Sequence, residues 1–173
     1  GTTLDIQTIQ IAFWNGFWVF VGVVAGAAIQ YRLMNKSLAK QREMAFTVLQ
    51  TEAEMNLSEV ERFEERIKYL KDRVAASQIE PDELFVSMQN FDYSALNPLV
   101  NSGHFHSMLT ANEVRLYLEF ARFFSNGNAK VVNSMLRTEH ERSKSIDYLD
   151  WLDKKAKELK SSLGSIQQKI SQH

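Results

Sequence analysis

Residues 13–42 read FWNGFWVFVGVVAGAAIQYRLMNKSLAKQR. The stretch is apolar and aromatic as far as Ile29, and then it becomes basic. Residues 11–29 contain no charged side chain, and a helix of that length rises roughly 28 Å, close to the hydrocarbon thickness of a bilayer. A helix in the core of a soluble protein carries charges on the face that meets water. The sequence therefore predicts a transmembrane helix over residues 9–31.

A cleavable signal peptide is the main alternative for the same stretch. Ala25, Gly26 and Ala27 resemble a small-residue cleavage site. However, the residues before the apolar run include Asp5 and no Lys or Arg, whereas a signal peptide begins with a positive region. Aromatic side chains cluster in the first half of the run and Tyr31 lies at its far end, as is typical of anchoring at the two membrane interfaces. These features favour an uncleaved span.

The charges that flank the apolar run predict its orientation. No cation precedes the run, and four follow it before the first acidic residue, Glu43; they are Arg32, Lys36, Lys40 and Arg42. Positively charged flanks stay in the cytoplasm. We therefore expect residues 1–8 outside the membrane and residues 32–173 in the cytoplasm. The same basic cluster is able to contact lipid headgroups at the membrane surface.

One face of the predicted span carries small and polar residues. At about 100° per residue, Asn15, Gly22, Gly26 and Ile29 fall within a narrow stripe. Gly22 and Gly26 have the G-x-x-x-G spacing that lets a second helix approach closely. The alternative is that these glycines reflect only the general frequency of glycine in membrane helices. The stripe predicts helix packing in the membrane, against a second copy or another subunit.

The rest of the chain has the pattern of an all-α protein. It contains two prolines and seven glycines, and no segment shows strand alternation. Apolar positions step by three and four in two regions, which predicts long helices over about 33–78 and 128–171. The first seam comprises Phe46, Leu49, Ala53, Asn56, Val60, Phe63, Ile67, Leu70 and Val74, and the second comprises Leu149, Leu152, Ala156, Leu159, Leu163, Ile166 and Ile170.

Each apolar seam needs a partner that buries it. We expect the membrane helix to continue into a cytoplasmic bundle or antiparallel coiled-coil hairpin, with a parallel homodimeric coiled coil as the alternative. Asn56 occupies a seam position, where a polar side chain fixes the register. Glu52 lies one turn before it. We expect both side chains to bond to the backbone of the turn at Ser102 and Gly103, as a structural polar motif.

A small helical head is expected between the long helices, over about 79–127. Pro81 is well placed to begin a helix. Asp92 is expected to begin another short helix, which Gly103 ends in a left-handed cap. Thr110 and Glu113 have the spacing of a capping box.

Two segments carry short motifs that recur together in other proteins. Residues 49–57 read LQTEAEMNL, and residues 97–128 contain Ser-Gly-x-Phe, a leucine, a capped helix and an asparagine. In this order they resemble a loose group of uncharacterised bacterial single-pass membrane proteins with a helical cytoplasmic domain. The resemblance implies that fold, a bacterial inner (cytoplasmic) membrane, and no particular activity. The matching residues are Leu49, Glu52, Asn56, Leu57, Ser102, Gly103, Phe105, Leu109 and Asn128.

No constellation of residues predicts catalysis. The chain lacks cysteine, a glycine-rich phosphate loop and a G-x-S-x-G elbow. His104 and His106 flank Phe105, but a metal site needs at least a third ligand. The net charge of -1 gives no basic footprint for nucleic acid. We therefore expect no enzyme activity, no cofactor, no metal and no nucleic-acid partner.

These observations predict a non-enzymatic, single-pass membrane-anchored helical protein. We expect it to act as an accessory or scaffold subunit of a membrane protein assembly, with membrane lipid and other subunits or a second copy as partners. One alternative is a membrane-linked signalling or phage-defence effector, which the heptad seams and a break at Gly127 would serve. A second alternative is a small metal-binding protein that uses His104 and His106.

Overall fold

The computed structural model describes residues 2–103, 106 and 108–172, with side chains from residue 5 onward. No β-strand occurs within these ranges, so the predicted all-α class is confirmed. The chain separates into two compact units, Gly1–Met44 and Ala45–His173. Its helices are α1 (Thr2–Ala75), α2 (Leu96–Ser102), α3 (Ala111–Phe123), α4 (Asn126–Thr138) and α5 (Arg142–Ser171), and a 3-10 turn forms at Pro81–Glu83.

The first unit consists of the N-terminal part of α1. The helix passes without a break through residues 31–33, between the predicted membrane span and the long helix predicted to follow it. Every side chain of residues 5–44 is exposed. The aromatic residues stack edge to face along the helix, with ring centroids 6.0 Å apart for Phe13 and Trp14 and 5.7 Å apart for Trp14 and Phe17. This part of α1 is long and apolar enough to cross a membrane.

The second unit is built around the two predicted seams. On α1, every seam residue from Leu49 to Val74 is buried and Phe46 is half-buried, and on α5 the whole predicted seam is buried. Burying a Leu or Ile side chain stabilises a fold by about 1.5–3 kcal/mol. Polar pairs join the outer edges of the two helices in opposite chain order: Lys71 with Asp150 at 2.8 Å, Glu64 with Lys160 at 3.5 Å, and Glu54 with Gln167 at 3.1 Å.

The single helix expected over 128–171 is two helices, α4 and α5. The backbone is extended at Glu139 and Glu141, between the two. The Thr138 hydroxyl donates to the carbonyl oxygens of the last turn of α4 and satisfies them there. Arg142 then begins α5 and donates to the carbonyl oxygen of Val74, 2.7 Å away. The charged residues around this corner therefore mark a turn, not the middle of a helix.

The break expected at Gly127 lies just before that residue. Ser125 is the N-cap of α4, and its hydroxyl accepts from the backbone of Asn128 at 3.2 Å. Gly127 lies in the first turn of α4. The side chain of Asn128 also bonds back to the carbonyl oxygen of Phe123, at 2.7 Å. These contacts fix the corner between α3 and α4.

The predicted head is only partly helical. Pro81 begins a 3-10 turn of three residues instead of an α-helix. Residues 84–95 then form a segment without regular secondary structure, extended at Leu84 and with turns at residues 89–90 and 94–95, which we call the strap. Its apolar side chains alternate, because Leu84, Val86 and Met88 are buried while the residues between them are exposed.

The structure forms both caps that the sequence predicts, at Gly103 and at Thr110. Gly103 ends α2 with φ of +72°, a left-handed conformation that glycine adopts at little cost. Thr110 and Glu113 form the predicted capping box, with hydrogen bonds of 3.2 and 3.0 Å. Asp92, in contrast, begins no helix. Its carboxylate accepts from the backbone of Ser94, and α2 begins at Leu96.

Candidate functional site

The strap is fastened to α1 by a side-chain amide. Asn56 donates from Nδ2 to the carbonyl oxygen of Asp92 at 2.8 Å, and its Oδ1 accepts from the amide of Asp92 at 3.0 Å. Nδ2 also lies 3.3 Å from the hydroxyl of Tyr117, on α3. Asn56 is buried. One polar side chain in the seam therefore joins α1, the strap and α3.

Glu52 fastens the start of α2 to the same face of α1. Its Oε2 accepts from the backbone amides of Ala95 and Leu96, at 3.1 and 3.0 Å. Ala95 is the N-cap of α2 and has no side-chain oxygen of its own. Glu52 therefore satisfies helix-terminal N–H groups that usually receive a cap from within the chain segment.

Burial makes the carboxyl group of Glu52 a weaker acid than usual. The side chain is 6% exposed, and its Oε1 is buried without a hydrogen-bond partner among the described residues. The pKa of Glu52 is raised to about 7. Desolvation is the main cause and the nearby Asp92 adds to it, whereas the two backbone hydrogen bonds oppose the shift. The phenols of Tyr93 and Tyr117 also face this carboxyl, and burial raises the pKa of both.

The polar motif predicted from Glu52, Asn56, Ser102 and Gly103 is therefore rearranged. Glu52 and Asn56 do bond to backbone groups, but these belong to the strap and the start of α2. The Ser102 hydroxyl donates to the carbonyl oxygen of Leu99, at 2.9 Å. The signal that identifies the true partner is the sequence at the start of α2, because an alanine N-cap requires an acceptor from elsewhere.

A second amide on α4 holds the other end of the strap, and we did not predict it. Asn133 is buried, its Oδ1 accepts from the amide of Val86, and its Nδ2 donates to the carbonyl oxygen of Val86. The only sequence signal is a polar residue on the apolar face of α4, beside Val132 and Leu136.

The aromatic residues near the strap form a packed core without a ligand cavity. Phe91 stacks on Phe124 with centroids 4.4 Å apart, and Tyr93 donates to the carbonyl oxygen of Phe124 at 2.7 Å. Tyr117 and Phe120 are fully buried. Because burial raises the pKa of Tyr93 and Tyr117, both phenols stay neutral. The Tyr93 hydroxyl acts as a donor, and the Tyr117 hydroxyl accepts from Asn56. This arrangement orders the fold, and it offers no acid–base pair beside an open site.

Two of the grooves on the surface of the second unit differ in their lining. One has a volume of about 560 Å³ and is lined by acidic and basic side chains together, among them Glu64, Lys68 and Asp153. The other has a volume of about 370 Å³ and lies between α4 and α5, where Tyr148 stacks on Trp151 with centroids 5.7 Å apart. The lining of the second groove also includes Glu139, Lys144 and Ser145.

The residues predicted to act at the membrane all lie on the exposed surface of the first unit. The stripe of Asn15, Gly22, Gly26 and Ile29 is exposed. A Cβ atom added at Gly22 or Gly26 would meet nothing within 4 Å. The stripe is therefore open to an approaching helix. The basic cluster of Arg32, Lys36, Lys40 and Arg42 is exposed as well.

The possible metal ligands are not brought into a described site. His104 lies outside the described residues, while His106 is exposed beside a groove that also contains Glu113 and Lys169. Within residues 2–103, 106 and 108–172, no three His, Asp or Glu side chains are grouped so that they could hold a metal ion.

Comparison with known proteins adds no relative. No family model, curated protein or solved structure matches the chain. The resemblance to bacterial single-pass membrane proteins therefore stays a prediction, and the argument for function rests on the geometry of the two units.

Proposed function

We propose that this chain is a non-enzymatic, single-pass membrane-anchored protein that serves as an accessory or scaffold subunit of a membrane protein assembly. One observation carries the proposal. The N-terminal part of α1 exposes apolar and aromatic side chains around its whole circumference, and none of residues 5–44 is buried. Among these side chains are Phe13, Trp14, Trp18, Val19 and Phe20.

The energetic argument for the anchor follows from that exposure. Each Val, Leu, Ile or Phe side chain left in water forgoes about 1.5–3 kcal/mol relative to burial. Exposed apolar surface of this extent marks a membrane or a protein interface. A bilayer covers every face at once, and a helix satisfies its own backbone groups there. Membrane insertion therefore accounts for the whole circumference, whereas docking against one soluble helix would cover a single face.

The proposed topology places the short N-terminus outside and residues 32–173 in the cytoplasm of a bacterial inner membrane. The asymmetry of positive charge across the apolar run supports it. In the cytoplasm, the second unit would form an antiparallel helical hairpin with a small head. The opposite order of the pairs Lys71–Asp150 and Glu64–Lys160 supports this arrangement. Such a hairpin gives a stiff mount for partner subunits.

Membrane fractionation tests the anchor. After washing with alkaline carbonate, we expect the full chain to remain in the membrane pellet, and its release into the supernatant would overturn the proposal. A double variant with Val19→Arg and Val23→Arg places charges in the middle of the span, where each costs about 2.5–3.5 kcal/mol. We expect this variant to leave the pellet. The matched control, with Val19→Leu and Val23→Leu, stays there.

The absence of cysteine makes topology directly measurable. A single cysteine introduced by Thr3→Cys should react with a membrane-impermeant maleimide on intact cells. One introduced by Ser161→Cys, an exposed site on α5, should react only after lysis. The reverse pattern would overturn the orientation.

The subunit role requires partners in the membrane. We expect chemical cross-linking in native membranes, followed by purification in mild detergent, to retain a second copy or other membrane proteins. A strict monomer that retains nothing would overturn the accessory role while leaving the anchor intact.

A further inference from the structure

The basic cluster of the first unit is an unbalanced charged surface. Its four cations, Arg32, Lys36, Lys40 and Arg42, are exposed, and the whole stretch between Asp5 and Glu43 contains no acidic side chain. The surface charges of the second unit are arranged differently, because many of its lysines and arginines pair with nearby carboxylates, as Lys157 does with Asp153 at 2.7 Å. The four cations therefore have no acidic side chain among residues 6–42 to neutralise them, and with Glu43 included the segment keeps a net positive charge.

The cluster also occupies one side of the helix. At about 100° per residue, the four cations span a sector of roughly 160°. The opposite sector carries exposed apolar side chains, namely Leu33, Met34, Leu38 and Met44. The four cations therefore share one face of this segment, where Glu43 also lies, and the apolar side chains lie on the other face together with Ser37 and Gln41. The orientation of a span depends only on the number of cations near it. Orientation alone therefore does not explain why these cations share one face.

Along α1 the cations extend from the headgroup layer outward, with Arg32 inside that layer and Lys36 just beyond it. With a rise of about 1.5 Å per residue, Arg32 lies roughly 5 Å and Lys36 roughly 11 Å beyond Ile29. The headgroup region extends about 5–8 Å beyond the hydrocarbon on each side of a bilayer. Lys40 and Arg42 lie about one Debye length farther out, where a charged surface still attracts them.

We propose that the face formed by Arg32, Lys36, Lys40 and Arg42 binds the headgroups of anionic phospholipids on its own side of the membrane, which selects the lipids around the anchor. The inference rests on the proposed membrane span, because the span sets the depth of the cations. Charge complementarity determines the occupant. A phosphodiester headgroup with a net negative charge pairs with guanidinium and ammonium groups, whereas a zwitterionic headgroup also presents a cation to them.

Retention of lipid by the full chain tests the proposal. The chain is reconstituted into phosphatidylcholine vesicles that contain about 30% phosphatidylglycerol and is then extracted in mild detergent. Mass spectrometry quantifies each lipid that the protein retains. We expect the ratio of phosphatidylglycerol to phosphatidylcholine retained by the wild type to be about threefold higher than in the bulk vesicles. We expect about 0.5 M NaCl in the extraction to remove most of this enrichment. Retention at the bulk ratio would overturn the proposal.

A matched pair of variants separates the basic face from overall charge. The first replaces the four cations by glutamine: Arg32→Gln, Lys36→Gln, Lys40→Gln and Arg42→Gln. The second makes the same change in net charge in the second unit: Lys68→Gln, Arg122→Gln, Lys130→Gln and Lys154→Gln. We expect the first variant to lose the enrichment and the second to keep it. Equal loss in both, or in neither, would overturn the proposal.

Flotation with vesicles of pure phosphatidylcholine distinguishes the two levels of inference. A chain that fails to float with these vesicles after a high-salt wash is not anchored, and the proposed function itself fails. A chain that floats but shows no preference for phosphatidylglycerol keeps its anchor and loses only the lipid selectivity.

Discussion

Asn133 and Val86 exchange two hydrogen bonds of 2.8 Å each, between the side-chain amide of one and the backbone of the other. A neighbouring β-strand would satisfy an extended backbone in the same way. Here a helix provides the pairing through one side chain. Asn56 repeats the arrangement with Asp92 at the other end of the strap. Side chains of α1 and α4 thus make the hydrogen bonds to the strap that neighbouring strands make to a β-strand.

Removing the Asn133 amide should destabilise the second unit more than an ordinary polar substitution does. Asn133→Ala leaves the N–H and C=O groups of buried Val86 without partners, which costs about 2–4 kcal/mol. Thermal or urea unfolding of the detergent-solubilised chain, followed by circular dichroism, measures the loss. The control Asn126→Ala, at an exposed position on α4, should change stability by less than about 0.5 kcal/mol. Equal effects of the two changes would contradict the inference that Asn133 fastens the strap to α4.

Glu52 should make the stability of the second unit decrease as the pH rises. Its pKa is about 7 in the folded chain, against an ordinary value of 4.5. Between these values the unfolded chain releases the proton while the folded chain keeps it, so the free energy of unfolding falls with rising pH. The contribution is complete below about pH 4.5 and is lost as the pH rises through about 7. It amounts to about 3 kcal/mol at most.

Glu52→Gln should flatten this pH dependence, because glutamine does not titrate and its carbonyl oxygen still accepts from Ala95 and Leu96. Urea unfolding at a series of pH values between about 4.5 and 7.5 measures the slope. Glu65→Gln is the control, since Glu65 is exposed on the same helix, and it should keep the wild-type slope. An unchanged slope in Glu52→Gln would assign the pH dependence to another group.

The capping box at the start of α3 gives a local prediction. Thr110→Ala removes the acceptor for the backbone amide of Glu113 and should cost about 1 kcal/mol. Thr51→Ala, on the exposed face of α1, should have a smaller effect. Unfolding midpoints measured side by side check the difference, and an equal shift in both variants would show that the box does not stabilise α3.

The two glycines at Gly103 and Gly164 should respond to alanine in opposite directions. Gly103 has a φ of +72°, so Gly103→Ala introduces strain and should destabilise by about 1 kcal/mol. Gly164 lies inside α5, where an added Cβ meets nothing within 4 Å. Gly164→Ala should therefore stabilise by about 0.5–1 kcal/mol. A pair of thermal melts is sufficient, and shifts of the same sign would contradict the assignment.

Self-association through the membrane stripe predicts a selective effect of bulk. Gly22→Leu and Gly26→Leu together should lower the cross-linked dimer fraction several-fold, because the added side chains keep a second helix at a distance. The fold should not change, since a Cβ atom added at either position meets nothing within 4 Å. Gly16→Leu is the control, because Gly16 lies off the stripe and is equally unobstructed. Dimer loss in the control alone would place the contact on another face.

The periodic parts of this chain were predictable because their signal is repeated. The seam from Leu49 to Val74 and the seam on α5 each extend over several turns, so single exceptions such as Asn56 did not hide the pattern. The caps at Gly103 and Thr110 were predictable for a different reason. Each depends on local backbone chemistry, which is read from a few consecutive residues.

The strap and the corner before α5 were not predictable in the same way. Alternation in the strap involves only Leu84, Val86 and Met88, which is too short to distinguish an extended segment from a helical one. The corner at Glu139 and Glu141 lies in charged sequence that a helix also tolerates. The partners of Glu52 and Asn56 are backbone atoms, and a backbone atom leaves no pattern in the side chains of its own segment.

This property of the two asparagine clamps has an evolutionary consequence. Each asparagine hydrogen-bonds to main-chain atoms of the strap, so these bonds do not depend on the side chains of Val86 and Asp92. Mutation at outward positions of the strap, such as Phe85 and Ser87, leaves the fastening intact. Asn56 and Asn133 have no such freedom, because no other residue presents a donor and an acceptor with the same reach. Among descendants of this sequence, we expect the outward positions of the strap to vary while the two asparagines remain fixed.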